Sequence, residues 1–373
     1  MSGGKYINRT VVFTGGGTGG HIYPAIATAS ALKDICDCRI VWIGFKNWFD
    51  RSIVEGAGIK FEAINGGKLR RYFSLKNFTD IFRIAAGFFA SLVLLKKYKP
   101  ALIFSKGGFV SVPPSVAAAA LGIPVFTHES DFSPGLATRI NARLAKKIFI
   151  TYEQTKRFFK KKYFDKIILS GNPVRSEFYT ANPDKGRALL NVQSGEKILL
   201  VLGGSQGAEE INSLIESCLA KLTEKFFVVH QTGRSGEEPA ALADEKTRRR
   251  YIRLPYIGEE MPDILAAAAL VLGRSGAGTV WECAAVGRPM ALIPLTTATR
   301  GDQIENARFY EEKGAARVIV RPNAAGLLKT LDELLSDEER LTAMAAAAAQ
   351  IGTTRGATLI ARHIFEFIGG STE

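Results

Sequence analysis

His21 closes a glycine-rich run, Thr14-Gly-Gly-Gly-Thr-Gly-Gly-His21, that follows the apolar, β-branched stretch beginning at Thr10. A glycine turn between a buried strand and a helix leaves backbone N–H groups and the positive end of the helix facing whatever lies above the strand. That place suits an oxyanion or a phosphate. Pro24 reads as the first turn of the helix. A phosphate cradle needs no titratable imidazole, so His21 points to proton transfer beside the anion. His128-Glu129-Ser130-Asp131 ends another apolar run and aims its polar side chains toward the same end of a sheet. Glu129 is therefore a second candidate for moving a proton.

Further residues suit an anionic, sugar-bearing ligand. A second glycine turn, Gly203-Gly-Ser205-Gln-Gly207, adds the Ser205 hydroxyl to the donors of a helix start. In Arg274-Ser-Gly-Ala-Gly-Thr-Val-Trp-Glu282 a third turn opens a helix, and Glu282 lies about one turn inside it. A carboxylate there can accept from both hydroxyls of a ribose, and the alternative is a solvated helix glutamate. Arg175, after Gly171-Asn-Pro-Val, can neutralise a pyrophosphate or stand as a surface arginine. Asp302, Gln303 and Asn306 form a polar group suited to sugar hydroxyls. Gly15-x-Gly17-x-x-Gly20 matches the dinucleotide fingerprint, yet the strand Ile40–Ile43 runs into Gly44-Phe45 with no acid for an adenosine ribose. That speaks against a nicotinamide or flavin cofactor. No Asp-x-Asp pair and no metal-ligand spacing occurs, so neither cofactor nor metal is expected.

These residues must be held by elements the chain spells out twice. Its 373 residues exceed one typical core, which favours two domains. Apolar runs at Val11–Thr14, Ile40–Ile43, Leu102–Phe104, Val125–His128 and Lys147–Ile150 read as buried strands, separated by helical stretches such as Ala25–Lys33, Phe78–Lys97 and Ser115–Leu121. The pattern restarts at Lys197–Leu202, with a helix from Ala208 and strands at Phe227–His230, Leu270–Leu272, Met290–Ile293 and Arg317–Val320. Each half predicts an α/β, doubly wound parallel sheet. Ligands of such sheets lie beyond the carboxyl ends of the strands, which places the site in a cleft between two facing domains. Residues 1–172 are expected to form the first domain and 173–352 the second, with 353–373 as a last amphipathic helix.

Composition narrows the partners. Hydrophobic residues at 46% and charged ones at 23% are ordinary for a globular protein, but a net charge of +13 favours an anionic partner. Between 68 and 99 lie Lys68, Arg70, Arg71, Lys76, Arg83, Lys96, Lys97 and Lys99 against the single acid Asp80. Tyr72, Phe73, Phe78, Phe82, Phe88 and Phe89 are interleaved with them. Such a segment suits an anionic bilayer surface, with Arg70, Arg71, Phe73 and Phe82 as contacts, and a core helix with a solvated basic face is the alternative. Lys156-Arg-Phe-Phe-Lys-Lys-Lys-Tyr163 repeats the combination. No nucleic-acid module is present. The four cysteines fit no disulfide or zinc spacing and suit a reducing compartment. Ile84–Leu95 falls short of the ~20 apolar residues of a spanning helix, and the N-terminus has no signal-peptide pattern.

As a set and in this order, Gly15–His21, Gly107-Gly-Phe-Val-Ser111, His128-Glu129, Gly171-Asn-Pro-Val-Arg175, Gly203-Gly-Ser-Gln-Gly-Ala208, Arg274-Ser-Gly-Ala277 and Asp302-Gln303 with Asn306-Ala resemble the MurG family from about residue 10 to 365. The resemblance implies a GT-B architecture of two Rossmann-like domains, with the last helix returning to the first. It implies inverting transfer of GlcNAc from UDP-GlcNAc to the MurNAc 4-hydroxyl of lipid I, at the cytoplasmic face of a bacterial membrane. Another GT-B enzyme with a membrane-lipid acceptor such as diacylglycerol is the alternative. By the resemblance, the Ile257 backbone meets uracil, Glu282 meets the ribose, Ser205 and Arg175 meet the phosphates, and Ala277, Gly278, Thr279, Val280 and Trp281 also contact UDP-GlcNAc. Gln303 and Asp131 meet the sugar, while Thr18, Gly19 and Gly20 approach from the first domain. His21 is the expected base, with Glu129 assisting or substituting. Many members carry an amide where this chain has Asp131, which can accept from a hydroxyl but not donate. The same variant, with Lys68-Leu-Arg-Arg-Tyr-Phe73 and Ser105-Lys-Gly-Gly-Phe-Val-Ser-Val-Pro113, resembles a clostridial-type branch.

Overall fold

The computed structural model describes residues 5–65, 76–203, 208–233, 244–296 and 302–369. The chain divides into two compact units, Met1–Arg175 with Thr354–Glu373, and Ser176–Thr353.

In the first unit the apolar runs become seven parallel strands: β1 (Lys5–Thr14), β2 (Cys36–Phe45), β3 (Lys60–Ile64), β4 (Leu102–Ser105), β5 (Val125–Glu129), β6 (Lys147–Ile150) and β7 (Ile167–Leu169). They lie in the order β3-β2-β1-β4-β5-β6-β7. The connecting helices are α1 (Gly19–Ile35), α2 (Trp48–Gly56), α3 (Lys76–Tyr98), α4 (Val112–Ala120) and α5 (Leu136–Leu144). The second unit holds β8 (Ile198–Leu202), β9 (Phe227–Gln231), β10 (Tyr251–Leu254), β11 (Leu270–Gly273), β12 (Met290–Leu292) and β13 (Ala316–Val318), again parallel, in the order β10-β9-β8-β11-β12-β13. Its helices are α6 (Pro183–Leu189), α7 (Glu209–Lys225), α8 (Glu245–Arg249), α9 (Met261–Ala267), α10 (Ala277–Val286), α11 (Asp302–Glu312), α12 (Ala324–Ser336) and α13 (Glu338–Gly352). A last helix, α14 (Gly356–Phe367), belongs to the first unit.

The two sheets share one topology. Strand order reverses between β1 and β4 in one and between β8 and β11 in the other, and the strand ends meet as Thr14 beside Ser105 and Leu202 beside Gly273. Connections leave to opposite faces at such a point, which opens a crevice above the carboxyl ends of the strands. β5 and β8 are buried along their whole length, as expected for parallel strands covered on both faces. Ile360, Ala361, Ile364 and Phe365 of α14 share a core with Phe13, Phe104 and Phe126, so burial holds the end of the chain to its beginning.

The sequence reading differs from the structure in two places. β3 and β10 are edge strands with partly exposed residues and lack the continuous apolar run that marks the interior strands. They and the short α2 were not expected. The other difference is at α1, which starts at Gly19 and carries Pro24 inside it. Thr18 is the extended cap, and its carbonyl accepts from both His21 and Ile22, so the helix is turning before the proline is reached. Proline then removes only the bond its own N–H would have made one turn back.

Candidate active site

His21 is the third residue of α1, at the crevice where β1 and β4 end. Its ring rests on the β4–α4 connection. Cβ atoms added at Gly107 and Gly108 would fall 3.6 Å from His21 Cε1 and 3.2 Å from Cδ2. Both glycines have positive φ, +92° and +75°, so the backbone passing under the ring suits glycine alone. Asn141 braces this loop from beneath, donating to Ser105 Oγ (2.8 Å) and Ser111 Oγ (2.9 Å). Part of His21 stays accessible, while Nδ1 is enclosed without a hydrogen-bond partner. Burial, and next the Lys106 ammonium, lower its pKa to about 4 against a smaller upward pull from the Lys106 backbone. At neutral pH the imidazole is an uncharged proton acceptor.

The second proton-transfer candidate has a different setting. Glu129 ends β5 almost completely buried, and its carboxylate accepts from the Asp131 N–H (3.1 Å) and the Gly135 N–H (2.9 Å). Gly135 caps α5, so Glu129 folds its own loop against the start of that helix. Both oxygens serve the scaffold. His128 is fully buried with Nε2 3.0 Å from the Gly171 carbonyl, and burial followed by Lys106 holds its pKa well below the usual imidazole value. It is a neutral pillar between β5 and the 171–175 turn. Asp131 is half-buried, and its carbonyl accepts from Thr155 Oγ1 (3.3 Å).

Two residues that sequence reasoning passed over sit in the same crevice. Asp50 of α2 accepts from the Gly17 N–H (2.9 Å) through Oδ2 and from Asn47 Nδ2 (3.0 Å) through Oδ1. A Cβ at Gly16 would run into that carboxylate. At the first glycine turn the chain's own carboxylate thus occupies one backbone donor, the Gly17 N–H. Burial raises the Asp50 pKa, and the Gly17 N–H offsets part of the rise. The other residue is Lys106, fully buried, which donates to Ser130 Oγ (2.6 Å), itself a donor to Asn172 Oδ1 (2.6 Å). The signal available was a lysine directly before a glycine pair at the end of a buried strand.

Of the residues expected from the first unit to touch the donor, Thr18 and Gly20 are exposed and Gly19 is buried. Arg175 lies with its guanidinium 5.5 Å from the centre of the Tyr23 ring, which ties it to α1.

In the second unit the corresponding crevice is lined by amides and hydroxyls. Ser275 is fully buried, donates through Oγ to the Gln303 carbonyl (2.6 Å) and accepts at its own carbonyl from Asn306 Nδ2 (2.9 Å). Gln303 Oε1 accepts from the Leu295 N–H (3.0 Å), so the side chain has its amide nitrogen to offer, the right polarity for a sugar hydroxyl. Ala277, Gly278, Thr279 and Glu282 are partly exposed along the first turns of α10, whereas Val280 and Trp281 are buried and can present only backbone. Arg274 pairs with Glu210 (2.6 Å) and donates to the Ile293 carbonyl (3.1 Å), fixing the turn before α10. The buried Ile257 donates its N–H to Gln231 Oε1 (3.0 Å), so a base edge would meet its carbonyl. Gln231 and Ser275 were not anticipated either.

Ser205, Arg70, Arg71 and Phe73 lie outside the described residues. Phe82 is 64% exposed on α3, about two and three turns from Phe89 (64%) and Val93 (68%) on the same side of the helix. Leu95 and Tyr98 pack inward, so the core-helix reading holds for one face only. Among the described residues no helix is long and apolar enough to cross a membrane, and no group of three or more His, Cys, Asp or Glu could hold a metal ion.

Comparison with known proteins agrees with this geometry. Residues 11–150 match the glycosyltransferase family 28 N-terminal domain and residues 198–361 the glycosyltransferase family 28 C-terminal domain. The chain is 46% identical to the UDP-N-acetylglucosamine–N-acetylmuramyl-(pentapeptide) pyrophosphoryl-undecaprenol N-acetylglucosamine transferase of Treponema denticola, over 98% of this chain and 99% of the relative. The enzyme of the same name from Clostridium tetani is 37% identical, over 84% and 86%. Among solved structures, Acinetobacter baumannii MurG aligns over 97% of this chain and 99% of its own, with a TM-score of 0.74 and 25% identity. A UDP-GlcNAc 2-epimerase from Neisseria meningitidis, at 16% identity and a TM-score of 0.70, shares the fold.

Proposed function

The chain belongs to glycosyltransferase family 28 and, within it, to the MurG N-acetylglucosamine transferases, and from that premise we propose the reaction and the roles of its residues. The reaction is transfer of GlcNAc from UDP-GlcNAc to the MurNAc 4-hydroxyl of lipid I, with inversion, forming lipid II. The acceptor oxygen bonds to the anomeric carbon as the bond from that carbon to the β-phosphate oxygen breaks, and UDP leaves with the electron pair. His21 takes the hydroxyl proton. The observation that carries this assignment is the neutral imidazole seated on Gly107–Gly108, whereas each Glu129 oxygen already accepts a backbone N–H of its own loop. A pyrophosphate brought near His21 would raise its pKa and strengthen it as a base once the donor is bound.

In the second unit Glu282 accepts from the ribose hydroxyls, the Ile257 backbone meets uracil and Gln303 donates to the sugar. Ser205 and Arg175, with helix N-termini, offset the charge growing on the departing diphosphate. Thr18, Gly19 and Gly20 close on the donor from the first unit, and Asp131 accepts from a sugar hydroxyl. The proposal requires that the two crevices serve one pair of substrates.

The basic, aromatic segment around α3 rests on the anionic cytoplasmic face of the cell membrane, where the lipid acceptor is anchored. Support comes from the net charge of +13 and the exposed Phe82, Phe89 and Val93. The deciding experiment offers radiolabelled UDP-GlcNAc with lipid I or with diacylglycerol. Label in a product of lipid I supports the reaction, and label only in diacylglycerol overturns the acceptor.

A further inference from the structure

The reaction scheme leaves Lys106 without a role, although its surroundings are unusual. A lysine at 1% exposure carries a desolvation penalty that an apolar residue of similar length would avoid. Its N–H donates to the Thr14 carbonyl (2.9 Å), which sets the start of the loop under His21. Its ammonium reaches Ser130 Oγ (2.6 Å), and Ser130 continues to Asn172 Oδ1 (2.6 Å). One side chain therefore links three segments: the glycine floor of the imidazole, the loop bearing Glu129 and Asp131, and the turn leading to Arg175.

We propose that Lys106 is a positioning residue for the proton transfer, its Ser130-anchored side chain fixing the Gly107–Gly108 floor under the His21 ring and setting its ammonium against that imidazole. This rests on the reading of His21 as the base. The charged and titratable groups around the crevice are Lys106 on the β4–α4 loop, Glu129, Asp131 and His128 on β5 and its loop, and Asp50 on α2. Of the cations near α1, which include the Arg175 guanidinium over Tyr23, Lys106 is the one that lowers the affinity of both His21 and His128 for a proton. Burial lowers its own pKa to about 8, while Glu129 and Asp131 favour its charged form. Asp131 thus helps keep the ammonium protonated.

The test uses the full chain as wild type, K106M, K106Q and K106R, with H21Q to assign the His21 resonance. His21 titration is followed by NMR, and the pH profile of kcat/KM by transfer to lipid I. K106M and K106Q are expected to raise the His21 midpoint by about one pH unit or more, to move the acid limb of the rate profile upward with it, and to abolish an alkaline limb near pH 8. K106R should restore the low midpoint. A folded K106M or K106Q with an unmoved His21 midpoint overturns the proposal. If neither folds, the wild type decides: a second inflection of the His21 signal near pH 8 supports it, and its absence overturns it. A raised midpoint with an unmoved rate profile supports the action of Lys106 on His21 and instead overturns His21 as the base. Absence of transfer by the wild type overturns the proposed reaction and leaves the His21 titration to judge Lys106.

Discussion

The crevices at β1/β4 and β8/β11 are built on the same strand order, yet they hold opposite kinds of chemistry. In the first, a lysine, two histidines and three carboxylates crowd the strand ends, and several titrate away from their ordinary values: His21 and Lys106 downward, Asp50 upward. In the second, the described residues are chiefly neutral, with Ser275, Gln303 and Asn306 bonded to one another or to backbone, and Arg274 paired with Glu210. One scaffold duplicated gives one crevice crowded with titratable groups and one built chiefly of neutral amides and hydroxyls. At the first glycine turn Asp50 fills one of the backbone donors, the Gly17 N–H.

This contrast can be broken at several points. The largest effect belongs to His21→Ala, expected to lower kcat by about 10²–10⁴-fold with UDP-GlcNAc affinity unchanged by calorimetry. A variant that instead lost donor affinity and kept its turnover would exchange the roles of the two units. Glu282→Ala should do the reverse, weakening UDP-GlcNAc binding by about ten- to a hundredfold for the loss of charge-assisted hydrogen bonds, with a smaller change in kcat. Gly16→Ala forces Asp50 off the Gly17 N–H and should destabilise the first unit by about 1–3 kcal/mol, read as a lower midpoint in chemical denaturation, with donor binding to the second unit retained.

The smallest effect is a pH dependence of stability. His230 is buried between Tyr251 and Asn212, and burial followed by Arg253 lowers its pKa to about 4 from an ordinary 6.5. Between those values the unfolded chain binds the proton and the folded one does not, so stability falls as pH drops from about 6.5 to 4. The first unit holds three histidines lowered in the same direction, His21, His128 and His363, with the raised Asp50 acting in the opposite sense. Acid should therefore unfold the first unit before the second, observable through Trp42 in one and Trp281 in the other. His230→Gln should flatten the dependence of the second unit alone.

Much of this was legible from local pattern. Buried parallel strands are near-continuous apolar runs, so β1, β4, β5, β8 and β11 stood out, and glycine turns after them marked where ligands would gather. His21 was visible because an imidazole beside a glycine turn has few structural reasons to be there. Edge strands β3 and β10 were hidden because they are only partly buried. Asp50 and Lys106 were hidden because each acts across a gap in sequence, 33 residues to Gly17 and 24 to Ser130.

The sequence by itself determined the fold class and the duplicated strand–turn–helix plan, which follow from local periodicity, and its short motifs carried the resemblance to the family and marked His21. Only the tertiary structure decided which residues are free to act. Whether Glu129 keeps an oxygen, whether the Gly17 N–H is open, and whether His21 is charged depend on burial and on partners brought from other elements. Hydrogen-bond commitment and desolvation arise when the strand ends converge, and neither is written in the spacing of residues along the chain.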